Sequence, residues 1–193
     1  MAVSKVFPAE ALVEAYEAGL REFGENYVQE FEDKHPLVKH LAGARFHLIG
    51  HLQSNKSKKA AEIFDVIQTV DSAKLARRLN ECGKALDVMI EVKLSEEEAK
   101  HGCAPEAVAE VVDTIRACDR LTLRGLMTMP PWDDNPEAAR PYFRRLRELG
   151  VRLGLPGGLS MGMSHDFETA IQEGSTHIRV GTALFGKRVK RAA

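Results

Sequence analysis

The chain has 193 residues, with 27 basic against 28 acidic side chains, a net charge of −1, and 44% hydrophobic and 28% charged residues. That is the make-up of one globular domain spanning 1–193, and its near-neutral balance leaves no electrostatic footprint for nucleic acid or an anionic membrane surface. No apolar run approaches the roughly 20 residues needed to span a bilayer. The N-terminus lacks the basic-then-apolar pattern of a secretory signal, and Cys82, Cys103 and Cys118, without CxxC spacing, read as reduced thiols of a cytoplasmic protein.

Apolar strand-like runs alternate with amphipathic helical patterns along the whole chain. A short first strand over residues 2–5 delivers Lys5, and Pro8 opens a helix that Gly19 closes. A second strand over 21–24 runs into Gly24-Glu25-Asn26, and a helix carrying Tyr27, Phe31 and Lys34 follows. The third strand, Phe46 to Ile49, ends in Gly50-His51, and Ser54 is placed to cap the helix running to Ile63. Asp65 to Val70 is the fourth strand, and Asp71-Ser72 caps a helix with Leu75, Ala76 and Leu79 on one face. Leu86 to Val92 is nearly continuous and apolar, as a strand buried on both faces should be. Ser95 with Glu98 fits either a capping box or a long loop. Pro105 to Cys118 is an amphipathic helix, Leu121 to Met129 the sixth strand, and Asn135-Pro136 the start of a helix with Phe143, Leu146 and Leu149 inward. After a Pro156-Gly157-Gly158 loop come a seventh strand at 159–161, a short helix from Asp166 to Glu173, and an eighth strand at 177–180. A last short element starts at Ala183, and the basic stretch Lys187 to Arg191 reads as a frayed tail. About eight strands alternating with helices suit a (β/α)8 TIM barrel of the α/β class, with an open doubly wound sheet as the alternative.

A barrel places functional groups in the loops after the strands. The polar, glycine-bearing stretches fall there: Ser4-Lys5, Gly24-Glu25-Asn26, residues 50–56, Gly162-Met163-Ser164, and Arg179-Val180-Gly181-Thr182. In barrels the loops after strands 7 and 8 often hold phosphate, which Ser164, Gly181 and Thr182 suit. A pair of ordinary helix caps is the plainer alternative. Gly162-Met163-Ser164-His165-Asp166 fails as a nucleophile elbow, because Asp166 stands where G-x-S-x-G needs its second glycine. Arg179, flanked by Ile178 and Val180, points to the opposite face from both; an exposed edge or a salt bridge is the plainer alternative, while a closed barrel favours the barrel mouth, within reach of a cofactor ring atom or an anion. His47 and His51 lie on a strand, where four residues separate side chains by about 13 Å, too far for a metal pair. Lys56, Lys58 and Lys59 read as a solvated face. Lys5, alone, is a surface lysine by default. Beside a phosphate site and an arginine for a ring nitrogen, it becomes a candidate imine-forming lysine, since a barrel mouth supplies the desolvation that favours the neutral amine. These groups together describe a pyridoxal 5′-phosphate (PLP) pocket.

The same residues resemble the pyridoxal-phosphate homeostasis proteins (the YggS/PROSC type). The matching stretches are Ala2-Val3-Ser4-Lys5, residues 23–30 (FGENYVQE), residues 47–56 with HLQSNK, Arg124-Gly125-Leu126-Met127, residues 159–164, and residues 179–186. The resemblance implies a PLP fold type III barrel like the N-terminal domain of alanine racemase. It implies a Schiff base at Lys5, Arg179 facing the pyridine nitrogen, Ser164, Gly181 and Thr182 holding the phosphate, and Asn26 near the ring face or phenolic oxygen. Members of this family usually carry a helix of about 25 residues before the first strand, whereas Met1 here directly precedes Ala2, so the usual N-terminal helix is expected to be lacking.

The resemblance implies a PLP-binding protein of vitamin B6 homeostasis without catalytic turnover. Its partners are PLP and PLP-dependent apoenzymes that receive it, and the chain is expected to be a monomer or weak homodimer. A PLP-dependent amino-acid racemase is the alternative. Two features speak against it: an arginine at the pyridine nitrogen makes the ring a weaker electron sink, and Tyr16, Tyr27 and Tyr142 all map to helices, away from the role of a second base. A phosphosugar-type barrel enzyme would leave Lys5 unexplained.

Overall fold

The computed structural model describes residues 1–97, 101–155 and 157–186. Eight strands lie in sequential order and all pair in parallel: β1 (Ala2–Val3), β2 (Glu22–Glu25), β3 (Arg45–Leu48), β4 (Val66–Val70), β5 (Leu86–Glu91), β6 (Leu121–Met127), β7 (Gly158–Met163) and β8 (His177–Arg179). The seam between first and last strand is closed by a parallel Ala2–Val180 bridge, with Val3 N donating to Val180 O at 2.8 Å and Val180 N to Met1 O at 3.0 Å. The TIM-barrel expectation is met, and a parallel sheet wound in sequence order has no open edge.

Helices α1 (Ala9–Glu17), α2 (Val28–Val38), α3 (Ser57–Ile63), α4 (Ala73–Asn80), α5 (Val108–Arg116), α6 (Arg140–Arg152), α7 (Phe167–Gln172) and α8 (Thr182–Phe185) connect the strands. Each longer helix buries one stripe against the barrel: Leu75, Ala76 and Leu79 on α4, Val108, Val111, Val112 and Ile115 on α5, and Phe143, Leu146 and Leu149 on α6. Between α2 and β3, the Phe31 ring packs at a tilt against Phe64 and Phe46, with ring centroids 4.7 and 5.0 Å apart. Burial of such an aromatic cluster dominates the local packing energy.

Several boundaries differ from the expected ones. β1 ends at Val3, so Lys5 lies in the turn that follows. Tyr27 precedes α2 as its N-cap rather than standing within it. Ser54 does not cap α3: residues Ser54–Lys56 form a 3-10 turn, and Ser57 Oγ donates back to Ser54 O at 2.9 Å. Ser72 caps α4 as expected, accepting from Leu75 N, and Asn135 Oδ1 accepts from Glu137 N at 3.1 Å. β7 is longer than the expected 159–161. Glu98 of the capping-box expectation, Pro156 and the basic tail from Lys187 lie outside the described residues.

Candidate functional site

One cavity of about 480 Å³ opens at the C-terminal end of the barrel, and its wall includes Lys5, Asn26, Ser164, Arg179, Gly181 and Thr182. All six residues singled out in the sequence therefore meet at one place. The volume falls within the range of small-molecule and cofactor sites. Val3, Ile49, Met129, Trp132, Met163 and His165 complete the wall.

Lys5 sits in a tight turn in which Phe7 N donates to Ser4 O at 3.1 Å. The next residue, Val6, has φ 65°, a left-handed conformation that a β-branched side chain rarely adopts. The turn is held from behind. Ser4 Oγ donates to Glu25 Oε1 at 2.9 Å, and Lys34 Nζ donates to Glu25 Oε1 at 3.0 Å, Ser4 O at 3.1 Å and Glu30 Oε1 at 2.6 Å. Glu30 Oε1 also accepts from Val6 N at 2.6 Å. Both neighbours of Lys5 are thus gripped by one network. Glu25 is fully buried, and burial raises its pKa despite the opposing pull of Lys34 and Ser4. A charged pair costs desolvation at such a position, so its gain lies in fixing geometry rather than in net stability.

Arg179 ends β8 at 3% exposure. Its Nη1 donates to Ser160 Oγ at 2.8 Å and its Nη2 to Thr128 O at 2.9 Å. The chain of donors continues through the barrel interior: Ser160 Oγ donates to Gln68 Oε1 at 2.7 Å, and Gln68 Nε2 donates to His47 Nδ1 at 3.0 Å. His47 Nε2 then carries the ring proton and contacts the Glu22 carboxylate near the opposite barrel mouth. Every link runs in one donor-to-acceptor direction, so the amide and imidazole orientations follow from the network. Burial lowers the Arg179 pKa to about 10, with Asp166 and Glu91 pulling the other way, so the guanidinium stays charged at neutrality.

The two last loops are tied together by Gly181 N, which donates to Ser164 Oγ at 3.3 Å. The Gly181 N–H is thus engaged within the protein. Thr182 and Ala183 open α8, and their N–H groups have no intrahelical acceptor. Gly181 packs close to β1: a Cβ there would lie 3.2 Å from Val3 O. Gly162, with φ 91°, carries the loop to Ser164 over α7, where a Cβ would meet the Ala170 methyl at 2.5 Å. Asn26 Oδ1 is buried without a hydrogen-bond partner. An orphaned acceptor in the wall, a fixed guanidinium, a lysine at the rim and a hydroxyl-bearing loop fit a phosphorylated pyridine aldehyde in size and donor set.

Two cavity-lining residues escaped sequence reasoning. Glu91, at the C-terminal end of β5, is 2% exposed, and its Oε2 has no hydrogen-bond partner. Its signal was a carboxylate at the C-terminal end of a strand buried there on both faces. Trp132, 69% exposed at the cavity rim and 4.7 Å from the His165 ring, had no periodic signal at all. His47 serves in the Arg179 chain. Lys59 pairs with Glu32 and Glu62, each at 3.1 Å, on the exposed face.

The profile of the alanine racemase N-terminal domain family matches residues 1–189. The pyridoxal phosphate homeostasis protein of Pseudomonas aeruginosa is 46% identical over 97% of this chain and 84% of its own length, and that of Aquifex aeolicus 43% over 97% and 86%. PipY of Synechococcus elongatus, solved with PLP bound, superposes with a TM-score of 0.90 at 39% identity over 96% of this chain and 91% of its own. Alanine racemase from Clostridium difficile shares the fold, with a TM-score of 0.75 at 13% identity, and this chain covers 52% of it. The chain belongs to the alanine racemase N-terminal domain family and, within it, to the pyridoxal phosphate homeostasis proteins.

Proposed function

We propose that this chain binds pyridoxal 5′-phosphate in the cavity at the barrel mouth, tethers it reversibly as a Schiff base on Lys5, and serves in PLP homeostasis without turning over an amino acid. The observation that carries the proposal is the convergence of Lys5, Asn26, Ser164, Arg179, Gly181 and Thr182 on one cavity. The PLP bound to PipY and the name of the Pseudomonas aeruginosa relative favour the same ligand.

Each residue has a physical task. The gripped turn holds Lys5 in the cavity wall. Arg179, immobilised by Ser160 and Thr128, would offer its remaining donors to the pyridine nitrogen. Ser164 and the first N–H groups of α8 would hold the phosphate, and Asn26 would stand near the ring. PLP supplies an aldehyde carbon and an electron-withdrawing ring. A charged arginine at the ring nitrogen disfavours its protonation and weakens that electron sink.

The lining supports a carrier over a racemase. None of the three tyrosines lines the cavity: Tyr16 donates to Ala42 O at 2.9 Å, Tyr27 is exposed ahead of α2, and Tyr142 lies in α6. A racemase of this kind needs a second base. The partners proposed are PLP and apoenzymes that receive it, in the cytoplasm, where free Cys82, Cys103 and Cys118 stay reduced. Lys5→Ala tests the tether. The variant is expected to lose imine absorbance while retaining phosphate-dependent affinity for PLP; undiminished imine absorbance would overturn the assignment.

A further inference from the structure

A second cavity, about 270 Å³, adjoins the first and shares Met129, Trp132, Met163 and His165 with it. Its polar wall is Glu91, His101, Asp133, Asn135, His165 and Asp166. No lysine or arginine appears among the described residues lining it.

Most of these polar groups are already used. Asp166 Oδ1 accepts from Met163 N at 2.6 Å, Asp133 Oδ1 accepts from Asn135 N at 2.8 Å, and His165 Nε2 meets Asp134 O at 3.1 Å. His101 stacks on His51, with ring centroids 3.8 Å apart. Glu91 is different. It is 2% exposed, it lines the cavity, and its Oε2 accepts no hydrogen bond. A buried carboxylate oxygen without a donor is costly and calls for a partner.

We propose that this second cavity is a binding site for a primary alkylammonium group, with Glu91 as its acceptor, placed beside the cofactor cavity. The inference rests on the cofactor reading only for what lies next door. The ligand class follows from the wall. An ammonium supplies the donors that Glu91 lacks and offsets the desolvation of its carboxylate. An α-amino acid brings a carboxylate as well, and among the described residues the wall has no Lys or Arg to receive it. Met129, Pro130, Pro131 and Trp132 give the alkyl chain an apolar wall. These described residues favour amines without an adjacent carboxylate, the chemistry of a free alkylamine or of a lysine side chain. Burial and the nearby Asp71 raise the Glu91 pKa to about 7, against the pull of Arg179, so the carboxylate is available on the alkaline side of neutrality.

Trp132, the chain's single tryptophan, lies in the wall and reports occupancy through its fluorescence. The PLP-free chain is titrated at pH 8 with butylamine, with L-norvaline (the same amine carrying an α-carboxylate), with 1,5-diaminopentane and with N-acetyl-lysine methylamide. Butylamine is expected to bind at least tenfold more tightly than norvaline, and Glu91→Gln to lower the amine affinity at least tenfold while leaving norvaline unchanged. A response to diaminopentane alone assigns a free small molecule as the source of the ammonium; a response to the lysine amide alone assigns a polypeptide side chain. Equal affinity for butylamine and norvaline in the wild-type chain overturns the proposal without any variant, as does an unaltered amine affinity in a folded Glu91→Gln protein. These titrations contain no PLP, so their failure is separate from failure of the tether at Lys5, which is read by labelling that residue.

Discussion

Arg179 Nη1 donates to Ser160 Oγ at 2.8 Å, and through that hydroxyl the arginine is anchored to a directional hydrogen-bond chain that includes Gln68 and His47 inside the barrel. The guanidinium cannot swing without breaking bonds to Ser160 on β7 and to Thr128 just past β6. A cofactor ring placed against it therefore meets donors that are already oriented, which lowers the ordering cost of binding.

Ser160→Ala removes the shared hydroxyl and leaves Arg179 Nη1 and Gln68 Oε1 facing each other unpaired. Leaving such buried groups unsatisfied costs about 1–3 kcal/mol. Urea unfolding of the variant is expected to show a loss in that range, together with weaker PLP binding. An unchanged midpoint would mean that another group takes over the hydroxyl's bonds.

Lys34→Met leaves Glu25 buried without its cation. Breaking a buried pair on one side costs about 3–5 kcal/mol. The double variant Lys34→Met with Glu25→Gln removes the charge as well and is expected to recover part of that loss. Both variants free the Ser4–Val6 turn, so the rate at which PLP reacts with Lys5 should fall in each. Stopped-flow absorbance measures that rate; equal rates in wild type and variants would show that Val6 and its neighbours hold the turn unaided.

The Glu91 pKa is raised from 4.5 to about 7, chiefly by burial and then by Asp71. In the folded chain the carboxyl therefore keeps its proton where the unfolded chain has lost it. The stability this contributes is complete below about pH 4.5 and is lost as the pH rises to about 7, a change of about 3 kcal/mol. Glu91→Gln lacks this dependence. Thermal melts at pH 4.5 and pH 8 should show the variant gaining on wild type at the higher pH. A stability difference that stays constant between the two would contradict the assignment.

Much of the fold was legible because parallel (β/α) units alternate two periodicities, and the strand ends then select the loops that carry chemistry. Lys5, Asn26, Ser164, Arg179, Gly181 and Thr182 each follow or end a strand, so placing the strands also brought these six residues to one cavity. The Arg179 chain was not legible, because Ser160 and Gln68 are 92 residues apart and their contact depends on barrel register. The clamp behind Lys5 was hidden for a similar reason: Lys34 looks like any helix-surface lysine until α2 is docked behind β2. Glu91 is hidden between Ile90 and Val92, and nothing in that local pattern separates a buried carboxylate from a partly exposed one such as Asp87.

The central claim is that Lys5 is the covalent anchor for PLP, and borohydride reduction of the PLP-loaded chain followed by peptide mapping tests it most directly. The account predicts a single reduced pyridoxyl label on Lys5, absent from Lys5→Ala. A label on another lysine, or an unlabelled Lys5 in a chain that visibly binds PLP, would contradict it.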